Sequence, residues 1–493
     1  MMKFSLRPLV ASLSIVHVLR TFAHFSGKHV SAVLSLLLWL GAPSLLHAES
    51  LRVGAAAVDI TPPLKMPFQV PQRPPHPAPG AEGTHDPLHA KAVVFESGGI
   101  KAAIVACDVT SLPLAMIEEA RKIAGKICDV PPENVMITST HTHTSPNLRP
   151  RFFKDTATRE QMAIADRYLT GLPGMIAESV KQAEANLTPA RLHAACGRVE
   201  NLAYNRRYLM KDGRVYANPA KGHDEDLVNV VREAGTTDPS LPLVYVDAPD
   251  GKPLASLVNF SMHLDTTGGL QFSSDFAYEL SKILADVKGP EMLTHFTIGA
   301  AGNINHYYLL DPKKPHRVKG YGEAARIGAL LAAEVVRCYQ RLEALASAPL
   351  KVSRESVRLK LMASKSRQFE ETHQKKPFFD GEVMETYVDG NYTFQAEVMV
   401  ITLGDELAFV GVPGELFVEL GLQVKMNSPY KYTFLNELAN GAIGYIPTRR
   451  AMSEGAYGAS PPTTRNEPGN GEALVDSAIR QLIAHRAIEP TLR

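Results

Sequence analysis

Residues Ala102 to Cys107 are almost wholly apolar, the pattern of a strand covered on both faces and therefore central in a sheet. Before them, Ala90 to Glu96 and Lys101 to Val109 flank Ser97-Gly98-Gly99, which predicts a β-hairpin. Leu112 to Ile127 has the spacing of an amphipathic helix, and a second buried strand follows, from Asn134 to Ile137. The rest of the chain continues the alternation. Strands are expected at Leu51–Ile60, Arg191–Val199, Leu243–Val246, Ala255–Ser261, Leu293–Ile298, Lys351–Leu361, Val398–Leu403, Leu407–Val412 and Tyr432–Leu435. Helices are expected at Arg159–Leu187, interrupted near Gly171 to Gly174, and at Ser274–Val287, Tyr321–Ala344, Glu415–Met426 and Glu472–Ala487. Such an alternation predicts an α/β fold, a mixed β-sheet core flanked by helices. No internal repeat and no coiled coil is legible.

The first part of the chain reads as targeting sequence. Val30 to Ala42 is an apolar run after Lys28 and His29, and Leu46-His47-Ala48 ends in a small residue before Glu49-Ser50. This is the layout of a secretory signal peptide with cleavage after Ala48, too short to be a stable membrane span. A further apolar patch at Leu9 to Leu19 makes the leader long, so the other readings are a true start that lies downstream or an uncleaved N-terminal anchor over residues 1–48. The mature chain is then expected to be secreted or periplasmic, and to lack tryptophan, because Trp39 lies in the leader. The formal net charge of +1 gives no electrostatic case for nucleic acid. Cys107, Cys128, Cys196 and Cys338 are widely spaced, which argues against a cysteine zinc site and leaves disulfide pairing open.

Chemistry is concentrated in Met136-Ile137-Thr138-Ser139-Thr140-His141-Thr142-His143-Thr144-Ser145-Pro146. In an extended chain residues i and i+2 point to one face, so His141 and His143 are expected to leave a strand end together. They could present a metal ligand and a proton-transfer group to one pocket. A histidine pair on a polar surface loop would look the same. Asp108, His263, Asn303 and Glu415 also lie where strands end or helices begin, and in open α/β sheets such ends converge on the site. Two histidines and a carboxylate make the ligand set of a catalytic zinc. Spacing alone does not bring these residues together. The small-residue turn Gly299-Ala300-Ala301-Gly302-Asn303 permits close backbone approach.

Thr140-His141-Thr142-His143-Thr144-Ser145-Pro146 resembles the T-H-T-H-S-G-P signature of the neutral ceramidase family. Leu51-Arg52-Val53-Gly54 through Asp59-Ile60-Thr61-Pro62-Pro63 resembles its opening strand. Asn205-Arg206, the segment around His263, Gly299 to Asn305, Pro413-Gly414-Glu415 and Gly444-Tyr445-Ile446-Pro447-Thr448 continue the resemblance in the same order. It implies that residues 49–493 are one neutral-ceramidase-like zinc hydrolase domain acting on a small-molecule or lipid substrate of the N-acylsphingosine type. His141, His263, Glu415 and Tyr445 fall on the family's Zn2+ ligands. His143, Arg206 and Tyr457 fall on residues that transfer protons, bind a polar head and contact the reacting carbonyl.

Two features depart from the family. Its catalytic serine lies in a G-D-x-S-P-N stretch, and here Gly302-Asn303-Ile304-Asn305-His306 puts Asn305 in that place. An amide can donate to an oxyanion but is neither nucleophile nor base, so zinc-activated water is the expected nucleophile. The chain also ends at Arg493, without the C-terminal β-sandwich that ceramidases carry, and no membrane-docking segment is legible after the leader. Besides a ceramidase-like amidohydrolase, two readings follow. One is a hydrolase of a soluble ester, lactone or glycoconjugate, for which the Pro-rich loop before Thr84 and the charged Ser364–Val388 stretch would build a polar pocket. The other is an inactive ligand-binding relative.

Overall fold

The structure is a computed structural model that describes residues 51–68, 79–219, 224–311, 317–346, 348–362, 385–388, 391–461 and 463–486. The leader, most of the Pro-rich loop and most of the Ser364–Val388 stretch lie outside these residues. The expected mixed sheets are present, and they follow a plan that the sequence did not disclose. One arrangement of strands and helices occurs three times.

In the first, β1 (Arg52–Asp59), β2 (His89–Ser97) and β3 (Ile100–Cys107) pair antiparallel in order. Helix α1 (Leu114–Ile127) then crosses to β4 (Val135–Ser139), which lies parallel to β3, and α2 (Arg159–Ala185) follows. In the second, β5 (Arg191–Arg198), β6 (Ser240–Asp247) and β7 (Pro253–Phe260) are antiparallel. Helix α3 (Phe276–Lys288) leads to the parallel β8 (Leu293–Ile298), and α4 (Tyr321–Cys338) follows. In the third, β9 (Leu350–Lys360), β10 (Asn391–Leu403) and β11 (Leu407–Gly411) are antiparallel. Helix α5 (Val418–Asn427) leads to the parallel β12 (Tyr432–Asn436), followed by the short α6 (Arg449–Glu454) and by α7 (Asn470–Arg486). Packing repeats as well: α1 contacts α2, α3 contacts α4 and α5 contacts α7. The second helix of each pair lies on the antiparallel strands of its own sheet.

Each sheet therefore has an outer face under its helices and an inner face. The inner faces share one core, made of Val93, Phe95 and Ile104 from the first sheet, Val244, Val246 and Leu257 from the second, and Met399, Ile401, Phe409 and Phe434 from the third. Neighbouring residues turn outward into separate sheet–helix cores, for example Ala92 and Val94, Leu243 and Tyr245, and Val398 and Val400. Because side chains alternate between faces, a strand between two apolar layers must be apolar throughout. That is why Ala102 to Cys107 carries no polar face. All four cysteines are free thiols, so no disulfide supports the fold.

The expected break near Gly171 to Gly174 is absent, and α2 is continuous with Pro173 inside it. A capping box starts it, Thr158 Oγ1 accepting from the Gln161 amide while Gln161 Oε1 accepts from the Thr158 amide. Leu172, Pro173 and Ile176 are buried against the sheet, so packing outweighs the local cost of glycine and proline.

His295, on β8, is 1% exposed. Burial, with the Lys91 charge as the next cause, pushes its imidazole down from 6.5 to about 4. The unfolded chain binds the proton more readily in that window. The contribution is therefore complete above pH 6.5 and is lost as pH falls towards 4. It is at most about 3 kcal/mol. In denaturant titrations across this range, His295→Gln should give a shallower fall in stability than wild type. Equal slopes would mean that His295 is not held neutral.

Candidate metal centre

One strand from the parallel pair of each repeat ends towards one place. The segment after β4 carries His141, the segment after β7 carries His263 and the segment after β11 carries Glu415. His141 and His263 are each 3% exposed at the side chain and Glu415 is 14% exposed. Glu415 Oε2 lies 3.5 Å from His141 Nε2 and 3.4 Å from His263 Nε2. His143 Nε2 is 3.3 Å from His141 Nε2. Ligand atoms of His141, His143 and His263 all lie within 4.8 Å of one another.

The histidine pair is formed differently from the extended-chain expectation. Strand β4 stops at Ser139, and His141 has a positive φ of 69°. A left-handed non-glycine residue costs of order 1–3 kcal/mol. Bonds around it hold the conformation. Its amide donates to Val109 O at 3.1 Å, and Nδ1–H donates to Thr110 O at 2.6 Å. A carbonyl only accepts, so this bond fixes the tautomer and leaves the Nε2 lone pair directed at Glu415. The His143 amide is bound instead to Leu264 O at 2.9 Å, on the segment that carries His263.

Glu415 also differs from expectation. It does not open a helix. Glu415-Leu416 is a short strand paired parallel with Tyr445-Ile446, with Glu415 opposite Tyr445, and α5 begins at Val418. The pairing, not a helix dipole, sets the carboxylate beside the phenol. Tyr445 Oη is 3.3 Å from Tyr457 Oη. The Arg206 guanidinium lies over both rings, 5.2 Å from the Tyr445 centroid and 5.3 Å from that of Tyr457, close enough for cation–π attraction. Arg206 also donates to Gly302 O through Nη2.

Electrostatics match a site built for a cation. Burial by itself would raise the Glu415 carboxyl, but His141, and then His263, hold it well below the carboxylate range. Burial, then the Arg206 charge, pushes His263 down to about 4. Burial and His141 lower His143 in the same direction. Burial and Glu415 push the Tyr445 phenol well above its ordinary range, with Arg206 opposing them. Both ring nitrogens of His263, and Glu415 Oε2, are buried without a hydrogen-bond partner. Unsatisfied buried polar atoms call for an explanation, and a ligand atom facing a metal is one. Tetrahedral zinc with bonds of about 2.0–2.1 Å places its ligand atoms about 3.3–3.4 Å apart, close to the separations found here. The residues present fit the ion.

A solved structure described as "Ceramidase complexed with C2" matches this one with TM-score 0.66 and 17% identity, over 90% of this chain and 78% of that one. The neutral ceramidase from Pseudomonas aeruginosa matches with TM-score 0.66 and 17% identity, over 90% of this chain and 77% of that one. This is the neutral ceramidase fold. No family model and no curated protein matches the chain, so the likeness rests on three-dimensional structure.

Within this ceramidase-like fold the other sequence candidates separate. Asn305 Nδ2 donates to Asn218 Oδ1 at 2.7 Å, and its Oδ1 accepts from the Tyr307 amide at 2.9 Å. Its side-chain bonds thus tie the Arg206 segment, where the Asn218 amide meets Arg206 O at 2.7 Å, and not the histidines. Asp108 accepts from the His89 amide, and Asn303 bridges the Val418 amide and Glu419. Both brace the framework. Three neighbours were missed: Thr110, which orients His141; Asp265, whose Oδ1 is 4.0 Å from His143 Nδ1; and Glu437, directly after β12. Glu437 followed an expected strand as visibly as the other candidates did.

Gly302 donates to Leu416 O at 2.9 Å, and a Cβ on it would collide with the Glu415 carbonyl oxygen. Gly302→Ala should displace the Glu415 strand and weaken divalent-metal binding by about 10- to 100-fold. Calorimetric titration with Zn2+ checks this, and unchanged affinity would mean that Glu415 does not hold the ion.

Proposed function

We propose that this chain is a zinc-dependent hydrolase of the ceramidase type, cleaving the amide bond of an N-acylated sphingoid base. The observation that carries the proposal is the set of three buried donor atoms, His141 Nε2, His263 Nε2 and Glu415 Oε2, with the carboxylate oxygen 3.4–3.5 Å from both nitrogens. Tyr445 is the fourth ligand in this reading. It would bind as phenolate only against a cation, since its surroundings otherwise hold it protonated. A bound zinc supplies Lewis acidity towards an acyl carbonyl and lowers the pKa of water.

The remaining steps belong to side chains. Arg206 and the Tyr457 hydroxyl form the donor side, suited to an oxygen that gains charge. Tyr457 is half exposed and Arg206 is buried, so the first meets substrate at the mouth and the second stays behind it. His143 is neutral here, with its side chain 36% exposed and Nδ1 turned towards Asp265. It can accept a proton and return it to the leaving amine. Asn305 keeps a second amide N–H with which to donate, and no step requires it as nucleophile.

A second reading is a hydrolase of a more soluble ester, lactone or glycoconjugate. It is favoured by the Asp265–Lys319 ion pair beside His143, 2.5 Å long and over a third exposed at both side chains, which makes this rim polar. An inactive relative would have no need of the orphaned His263 Nε2 and Glu415 Oε2. Among the described residues no helix is long and apolar enough to cross a membrane. Export rests on the leader sequence.

Elemental analysis of the purified protein tests the metal. About one zinc per chain is expected, lost in His263→Ala and retained in His143→Ala. The latter should lose about 10²- to 10⁴-fold in rate. No zinc in wild type prepared without chelator would defeat the proposal, and zinc loss in His143→Ala would make His143 a ligand. Turnover of long-chain N-acyl sphingoid bases but not soluble esters selects the first reading, and the reverse selects the second.

A further inference from the structure

Glu437 follows β12, is fully buried, and reaches all three repeats. Its Oε2 accepts the Ala301 amide at 3.0 Å and the Leu416 amide at 2.9 Å. Its own amide donates to Ile298 O at 3.2 Å, and its carbonyl accepts from Thr138 Oγ1 at 2.8 Å. Every partner adjoins the candidate centre. Leu416 follows Glu415. Ala301 belongs to the turn whose Gly302 packs on the Glu415 carbonyl. Ile298 ends β8, and Thr138 lies on the strand that leads to His141.

Burying a carboxyl group is costly unless its bonds replace those to water. An apolar side chain would fill the same space at no such cost, but the Leu416 and Ala301 amides would then lose an acceptor. An orphaned buried amide costs roughly as much as a lost hydrogen bond. Glu437 Oε1 has no partner, so the cost of burial is only partly met, and the acid is kept for what Oε2 binds.

We propose that Glu437 is a positioning residue for the metal centre. It fixes the Glu415 strand against the Gly299–Asn303 turn, while its main chain fixes the ends of β4 and β8. It does not contact substrate. The inference rests on His141, His263 and Glu415 being metal ligands, and the test separates the two.

The test is Co2+ titration of the metal-free full chain, read by the visible absorption bands that report coordination geometry and by affinity. Glu437→Gln keeps shape and an acceptor oxygen. It should bind within about threefold of wild type, with unshifted bands. Glu437→Met keeps volume without the acceptor. It should bind about 10- to 100-fold more weakly, with shifted bands. Circular dichroism establishes that each variant is folded. If Glu437→Met does not fold, Glu437→Asp, shorter by one methylene, replaces it in the same comparison. Wild-type affinity and bands in Glu437→Met or its replacement would overturn the proposal, as would a Glu437→Gln as impaired as Glu437→Met. Wild-type protein that takes up no Co2+ would overturn the metal reading itself, and this inference with it, before any substitution at position 437 is considered.

Discussion

The molecule depends on one shared apolar core buried by three sheets at once. A sheet covered on one side needs apolar residues only at alternate positions, but these sheets are covered on both. Helices take the outer faces and the other two sheets take the inner one. Phe95 of the first sheet and Phe409 of the third show how closely the inner faces meet: their ring centroids lie 6.1 Å apart. With the inner faces packed, the parallel strand ends have little freedom, and the loops that leave them are forced into one neighbourhood. The site follows from the core.

Much of the fold was legible for the same reason. Strongly apolar strands such as Ala102 to Cys107 and amphipathic helices such as Leu112 to Ile127 announce themselves through periodicity, because burial imposes it. The threefold plan was not legible, because each repeat meets its packing needs with different residues. On their inner faces the third strands of the repeats carry Ile104, Leu257 and Phe409, which share apolarity and nothing else that a comparison of letters would detect. Where a local rule competed with packing, packing prevailed: α2 runs through Pro173 because that face is buried.

The candidate site was legible in its residues more than in its geometry. His141, His263 and Glu415 could be singled out because polar residues at the ends of apolar strands are out of place unless something uses them. The reasons given for their conformations did not all hold. His141 and His143 meet through a left-handed turn, not along a strand. Glu415 sits on a two-residue strand facing Tyr445, a pairing too short to leave a periodic signal. Glu437 stands after an expected strand as His263 does, but its partners are backbone amides, so nothing beyond that position marked it. Asn305, singled out by its place in a motif, has its side-chain bonds to Asn218 and Tyr307, a bracing arrangement visible only once the loops are in place.

The placement of one donor on each repeat has a consequence for how the protein comes apart. A cation held by His141, His263 and Glu415 would staple three distant stretches of chain, none of which could leave its neighbours while the ion stayed bound. Its binding free energy would then count wholly towards the folded state, since the unfolded chain offers no such cluster. Losing the ion and separating the sheets would be one cooperative event. Ion exchange in the intact protein would be slow, because a route that opens the site also strains the common core.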